Sequence, residues 1–283
     1  MTKKVFFTIC VVAATLSCSK QEGAISSPAE IILGVGEGFK ASVETKATEI
    51  STVPSTLYWG ASTGSAGSET VKWDAVEAAV SSGNIATGKY QSVTPVTYNY
   101  YVSNSAFSIA SAKTTLTVAD NSVDILSARV ASNEVSPSVL LGHIFARTGS
   151  FTLTPQSGYV FSGTPTWKIV GKGAINGTAG TFNMTSNSWE SASKKLSSQT
   201  DVASTSDLYL IPGEYTVYVT YTLTKGGAGE YSQTFTKHAD ITLQQGKVNN
   251  ISGIANGANA SEISLQLSVA PWGTANLTLP ELQ

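Results

Sequence analysis

The chain has 283 residues, 41% apolar and 9% aromatic, too hydrophobic for a disordered polypeptide. Only 13% of its residues are charged, about half the usual share, and Ser and Thr make up about a quarter of it. Seventeen basic against nineteen acidic residues leave a formal charge of −2, without the basic surplus of a nucleic-acid binder, and a count of two His and two Cys leaves little for metal or thiol chemistry.

In chain order, Lys3 and Lys4 precede an apolar run from Val5 to Leu16, followed by Ser17 and Cys18. That is a charged n-region, a short apolar core and a small residue at a cut, the form of an export signal. The run is shorter than the roughly 20 residues that span a bilayer. The pair Ser17-Cys18 resembles the cleavage and acylation point of a bacterial lipoprotein signal. We therefore expect a signal peptide over 1–17, cleavage between Ser17 and Cys18, lipid on Cys18, and a polar tether over 18–28. Two lipid chains hold a protein firmly on a membrane. Both cysteines, Cys10 and Cys18, lie in this leader, so the body has neither a disulfide framework nor a thiolate metal site. Loss of 1–17 removes Lys3 and Lys4 and leaves fifteen bases against nineteen acids, a charge of −4.

The body alternates with a period of two, the signature of half-buried strands. Apolar or β-branched runs occur at 57–59, 96–102, 114–118, 123–130, 139–145, 150–154 and 165–170. The clearest places Tyr215, Val217, Val219, Tyr221 and Leu223 on one face and threonines with Tyr218 on the other. A Gly-rich turn at 225–229 then leads to a return strand beginning Tyr231, Gln233, Phe235. Residues 262–269 alternate as well. Helical signals are few: at 74–80, Asp74 and Glu77 stand at capping-box spacing, which predicts at most two turns. Many short strands with Gly, Asn, Ser and Pro between them predict an all-β chain of two β-sandwich domains, since about 260 residues is long for one. The polar stretch 132–138 is the expected boundary, giving domains at 29–135 and 136–283.

Chemistry candidates are weak. Residues 60–64 match G-x-S-x-G around Ser62, but that elbow needs a helix after it, and GSAGSET follows. Ser191-Ala192-Ser193-Lys194 lacks its companion motifs, and 171–177 misses the dinucleotide fingerprint and opens no helix. His143 shares a face with Leu141 and Phe145, with no acid close in sequence, and reads as a satisfied, partly buried residue. His238 is placed near a loop. Asp120 and Asp124 read as a turn before a strand rather than a calcium loop. Trp59, Trp73, Trp167, Trp189 and Trp272 read as core before they read as a sugar platform. No catalytic residue, metal or cofactor is expected, and the chain is read as a non-enzyme.

Four segments in order resemble the Bacteroidales fimbrillin family, also called type V pilins. They are Ser55-Thr56-Leu57-Tyr58-Trp59 with 63–73, then 88–104 (GKYQSVTPVTYNYYVSN), 141–159 (LGHIFARTGSFTLTPQSGY), and 235–251 (FTKHADITLQQGKVNNI) with Val269-Ala270-Pro271-Trp272. The resemblance implies two tandem transthyretin-like β-sandwich domains. It also implies export as a lipoprotein to the outer membrane and cell surface, and assembly into a fimbrium with other subunits. Members lose their first strand to a protease, and a neighbour's strand fills the vacated groove. Here the first-strand residues would be Ile31, Leu33 and Val35. The donor candidates are Leu277, Leu279 and Leu282 in a tail that meets Pro280. The family cuts after an Arg, and this chain has none before Arg129, so Lys46 or Lys40 is the cleavage candidate. An uncut, lipid-held chain would be a tip or anchor adhesin rather than a shaft subunit. The alternative reading is a surface lipoprotein that binds glycans.

Overall fold

The computed structural model describes residues 28–37, 53–172, 179–190, 200–202, 207–225, 231–257 and 265–271. Among them there is no helix and no cis peptide bond. The first eight strands are β1 (Ala29–Glu37), β2 (Thr56–Thr63), β3 (Thr70–Ala79), β4 (Asn84–Gln91), β5 (Tyr98–Ser103), β6 (Thr115–Val118), β7 (Leu126–Ser132) and β8 (Ser138–His143). There follow β9 (Ala146–Pro155), β10 (Val160–Phe161), β11 (Thr166–Gly171), β12 (Gly180–Asn183), β13 (Ser188–Trp189), β14 (Thr200–Val202) and β15 (Tyr209–Leu210). The last four are β16 (Gly213–Lys225), β17 (Tyr231–Leu243), β18 (Lys247–Ala255) and β19 (Leu265–Pro271).

A seven-stranded sheet runs β3-β2-β5-β7-β8-β1-β4. Strand β8 is its corner: residues 138–141 pair with β1, while Gly142 and His143 pair with β7. The two outermost strands, β3 and β4, are joined by Ser82-Gly83, with φ of +50° and +74° and reciprocal bonds between Ser81 and Asn84 of 2.9 Å. Two positive φ values at the centre of a two-residue loop define a tight turn of the I′ kind, which suits twisted strands. The rolled sheet encloses a core of Ile31, Leu33, Leu57, Trp59, Ile85, Tyr100, Val102, Val139 and Leu141.

The expected helix over 74–80 is instead part of β3, paired with β2 from Thr56↔Ala79 to Thr63↔Thr70. Ladder bonds and the packing of Trp73 outweigh the local preference of Ala and Glu, a few tenths of a kcal/mol per residue. Asp74 does serve as a local acceptor, taking the N–H of Ala75 at 2.8 Å and of Ile109 at 3.2 Å.

In the second half, β16 pairs along its whole length with β17, from Gly213↔Leu243 to Lys225↔Tyr231, and on its other side with β11 and β10. The facing sheet runs β15-β9-β18-β19. Between them lie Phe151, Trp167, Ile169, Tyr215, Val217, Val219, Tyr221, Leu223, Phe235 and Ile251. All five inward residues read from the alternation of 215–223 are fully buried.

A third core joins the halves. Strand β6 pairs with β12, from Thr115↔Asn183 to Val118↔Gly180, and β12 pairs with β13. This small sheet buries Tyr101, Leu116, Val118, Ile144, Phe145, Phe182 and Met184 together. The polar stretch 132–138 connects β7 to β8, neighbours in the seven-stranded sheet, so that sheet takes a strand from beyond the expected boundary.

Candidate functional site

Strand β1 is the element that the resemblance singled out. It lies between β4, antiparallel, with Ile32↔Ala86 and Leu33↔Ile85 opposite, and β8, parallel, with Val35↔Val139 opposite. Its alternation sends Ile31, Leu33 and Val35 into the core, where they are 0%, 0% and 7% exposed. Each such side chain contributes about 1.5–3 kcal/mol of burial. The backbone is tied on both sides: Ile32 N–H donates to Val135 O at 2.8 Å, Gly34 N–H to Pro137 O at 3.0 Å, and Val35 N–H to Gly83 O at 2.8 Å. The Thr87 hydroxyl donates to Ile31 O at 2.6 Å, and Glu30 accepts the Gly88 N–H at 3.0 Å. Among the described residues β4, outermost in its sheet, has only β1 as a full partner strand. Withdrawal of β1 would therefore strand both neighbours' backbone groups and open an apolar slot. Cys18, Lys40, Lys46, Leu277, Leu279, Leu282 and Trp272 lie outside the described residues, as do 173–177 and 191–194.

Ser62 is fully buried, and its hydroxyl donates to Glu69 Oε2 at 2.8 Å. Glu69, 3% exposed, also accepts from Tyr101 at 2.6 Å and from Arg129 Nη2 at 3.1 Å. Arg129 donates further to Tyr101 Oη through Nε at 3.1 Å and to Asn99 Oδ1 at 2.8 Å. Burial alone would lower the Arg129 pKa, but the bonds to Tyr101 and Glu69 raise it, so the guanidinium stays charged. Burial, then the bond to Glu69, raises the Tyr101 pKa. The hydroxyl is thus committed to a carboxylate inside an ion-paired network. The glycines of G-x-S-x-G have structural causes. A Cβ on Gly60 would come within 2.8 Å of Ile109 and 3.0 Å of the β3 backbone, and Gly64 turns with φ +97°. The Glu69 network was missed in sequence because its members come from four separate segments.

His143 is 4% exposed, and its Nδ1 lies 2.6 Å from Asp124 Oδ2. The acid absent from its sequence neighbourhood is supplied by the fold. Asp120 instead accepts the N–H and hydroxyl of Ser122, the turn expected there, so the two carboxylates serve different partners. Among the described residues no cluster of three or more His, Cys, Asp or Glu could hold a metal. His238 is not near a loop; it sits within β17 opposite Tyr218, ring centroids 5.7 Å apart. Trp59 and Trp167 are buried, Trp73 packs on Trp59 and Tyr98, and Trp189 donates to Ile144 O at 2.8 Å. These four are core and junction residues rather than an exposed platform.

No protein-family model and no curated protein matches the chain. Solved structures do resemble it. A proposed cell adhesion protein from Parabacteroides distasonis superposes with a TM-score of 0.57 at 11% identity, over 88% of this chain and 98% of its own. A fimbrial protein from Bacteroides vulgatus gives 0.56 at 14% identity, over 86% and 99%. At these identities the likeness is one of fold, and the chain shares the all-β architecture of those two structures along most of its length.

Proposed function

We propose that the chain is a non-catalytic, cell-surface fimbrial or adhesive subunit of the fimbrillin kind. It is exported as a lipoprotein through Cys18 and assembles by strand exchange once its first strand has been removed. One observation carries the reading: an N-terminal strand fills an apolar slot between β4 and β8, so it can leave without breaking the chain's interior connections. A cut at Lys46 or Lys40 falls between β1 and β2. An incoming strand that alternates apolar residues pairs the exposed backbone and refills the pockets of Ile31, Leu33 and Val35. The tail carrying Leu277, Leu279 and Leu282 is the candidate donor. The partners are other subunits, and the place is the outer surface, with lipid holding the precursor on the membrane.

A reversible lock tests the exchange. Ile32 and Ala86 are opposite each other on antiparallel strands, a spacing of about 4.5–5.5 Å that suits a disulfide. In an Ile32→Cys/Ala86→Cys chain treated with a Lys-specific protease, the oxidised form should stay monomeric. Reduction should release β1 and yield a ladder of oligomers on denaturing gels. Equal ladders from both forms would refute exchange at this slot. For the anchor, Cys18→Ser should move the protein from the membrane to the soluble fraction; retention on membranes would remove the lipid from the reading.

A further inference from the structure

The outer face of β7 and β8 is only partly covered by the turn between β12 and β13, and a cleft of about 330 Å³ remains. Its lining includes Ser127, Arg129, Leu140, Gly142 and Asn187. Volumes of a few hundred Å³ suit small ligands. The Arg129 guanidinium is immobilised: Nε and Nη2 are held by Tyr101, Glu69 and Asn99, while Nη1 has no hydrogen bond among the described residues. Among the described residues the hydroxyl of Ser127 and the side-chain amide of Asn187 make none either. Leu140, beside them, is 51% exposed. The cleft thus offers fixed donors, two groups that both donate and accept, and one apolar surface.

Charge narrows the class of ligand. Glu69 already neutralises Arg129 at 3.1 Å. An anion would meet no net positive charge and would be repelled by the buried carboxylate. A hydroxylated, uncharged molecule meets no such penalty. A pyranose presents hydroxyls that donate and accept on its rim, which match Ser127, Asn187 and Arg129 Nη1, and C–H groups on its faces, which match Leu140. A guanidinium held by three bonds loses little freedom when it takes a fourth. We propose that this cleft binds an uncharged sugar unit, as an element of adhesion separate from the slot of β1. No aromatic ring lines it, so affinity for a single sugar is weak, on the order of 1 mM or above.

The test uses the full, uncut chain in detergent, which keeps it independent of strand exchange. Methyl glycosides of glucose, galactose, mannose and N-acetylglucosamine are titrated against labelled protein, with sodium glucuronate and acetate as charged probes. The expected result is saturable shifts from at least one neutral glycoside, centred on the amides of Ser127, Arg129, Leu140 and Asn187. Leu140→Glu and Asn187→Gly, both at exposed positions, should each weaken binding about tenfold while the remaining spectrum is retained. The proposal is overturned if only the charged probes bind or if no glycoside shifts these amides at about 100 mM. It is also overturned if both variants bind as the parent does.

Discussion

Arg129 and Glu69 show how a single residue can hold several elements. The carboxylate gathers Ser62 of β2, Tyr101 of β5 and Arg129 of β7, while Tyr101 reaches Thr185 in the β12–β13 turn at 3.1 Å. Removing one member of a buried pair leaves the other charge without compensation. Arg129→Met should therefore lower stability by about 3 kcal/mol, read from urea unfolding. A loss below about 1 kcal/mol would mean that Glu69 is solvated in the variant. Tyr215 is buried, and its hydroxyl donates to Ile211 O at 2.8 Å. Burial raises the pKa of Tyr215, and burial with the nearby Tyr98 raises that of Tyr100. A raised pKa means the folded chain keeps the proton, so this stability is complete below pH of about 10 and declines as pH rises beyond it. In an alkaline titration followed by phenolate absorbance, these two rings should ionise only as the chain unfolds. Tyr215→Phe should cost about 1 kcal/mol, since the Ile211 carbonyl is left unpaired.

Among the elements, the β16–β17 ribbon was the most legible. Tyr215, Val217, Val219, Tyr221 and Leu223 alternate without interruption, and period two has one solution for a segment that must bury a single face. β3 was misread because Ala and Glu favour a helix when isolated, and only the neighbouring β2 supplies the ladder that overrides them. Strands β4, β12 and β18 gave little signal in sequence: Gly, Asn, Ser and Lys interrupt their apolar residues. Asp240 on β17 pairs with Lys172 and accepts from Thr216 at 2.7 Å, and these two contacts lower its pKa. That contribution is present above the ordinary carboxylate pKa and fades as pH falls through the lowered one. Among the described residues β17 is the outermost strand on its side, and its Lys237 is 4% exposed on the inward face, with Nζ 5.4 Å from the Phe235 ring. A charged side chain turned inward on an edge strand discourages pairing with another chain. Lys237→Val should increase self-association, measured by light scattering. The Ser82-Gly83 turn fixes where β4 begins, so Gly83→Val should cost about 1–3 kcal/mol through the strained backbone it imposes at φ +74°.

At the scale of the whole molecule, the shared core of β6, β12 and β13 binds the two halves. Phe182 is fully buried in it, and its ring meets Trp189 at 5.6 Å. Phe182→Ala should cost about 3–5 kcal/mol. Because this core takes residues from both halves, unfolding followed by Trp fluorescence and by far-ultraviolet dichroism should give one coincident transition in the parent chain. In Phe182→Ala the two curves should separate as the halves uncouple. The sequence by itself determined the all-β class and the inward face of the long ribbon. That face was legible because alternation is a local property that a single strand displays alone, whereas Ile31, Leu33 and Val35 were named only through the family resemblance. Tertiary structure alone decided that β1 lies between β4 and β8, that His143 meets Asp124, and that Glu69 meets Arg129. It decided as well that β6 pairs with a strand more than sixty residues away. Those partners are distant in the chain, and pairing between distant segments is set by the summed packing of the whole fold rather than by any one segment's pattern.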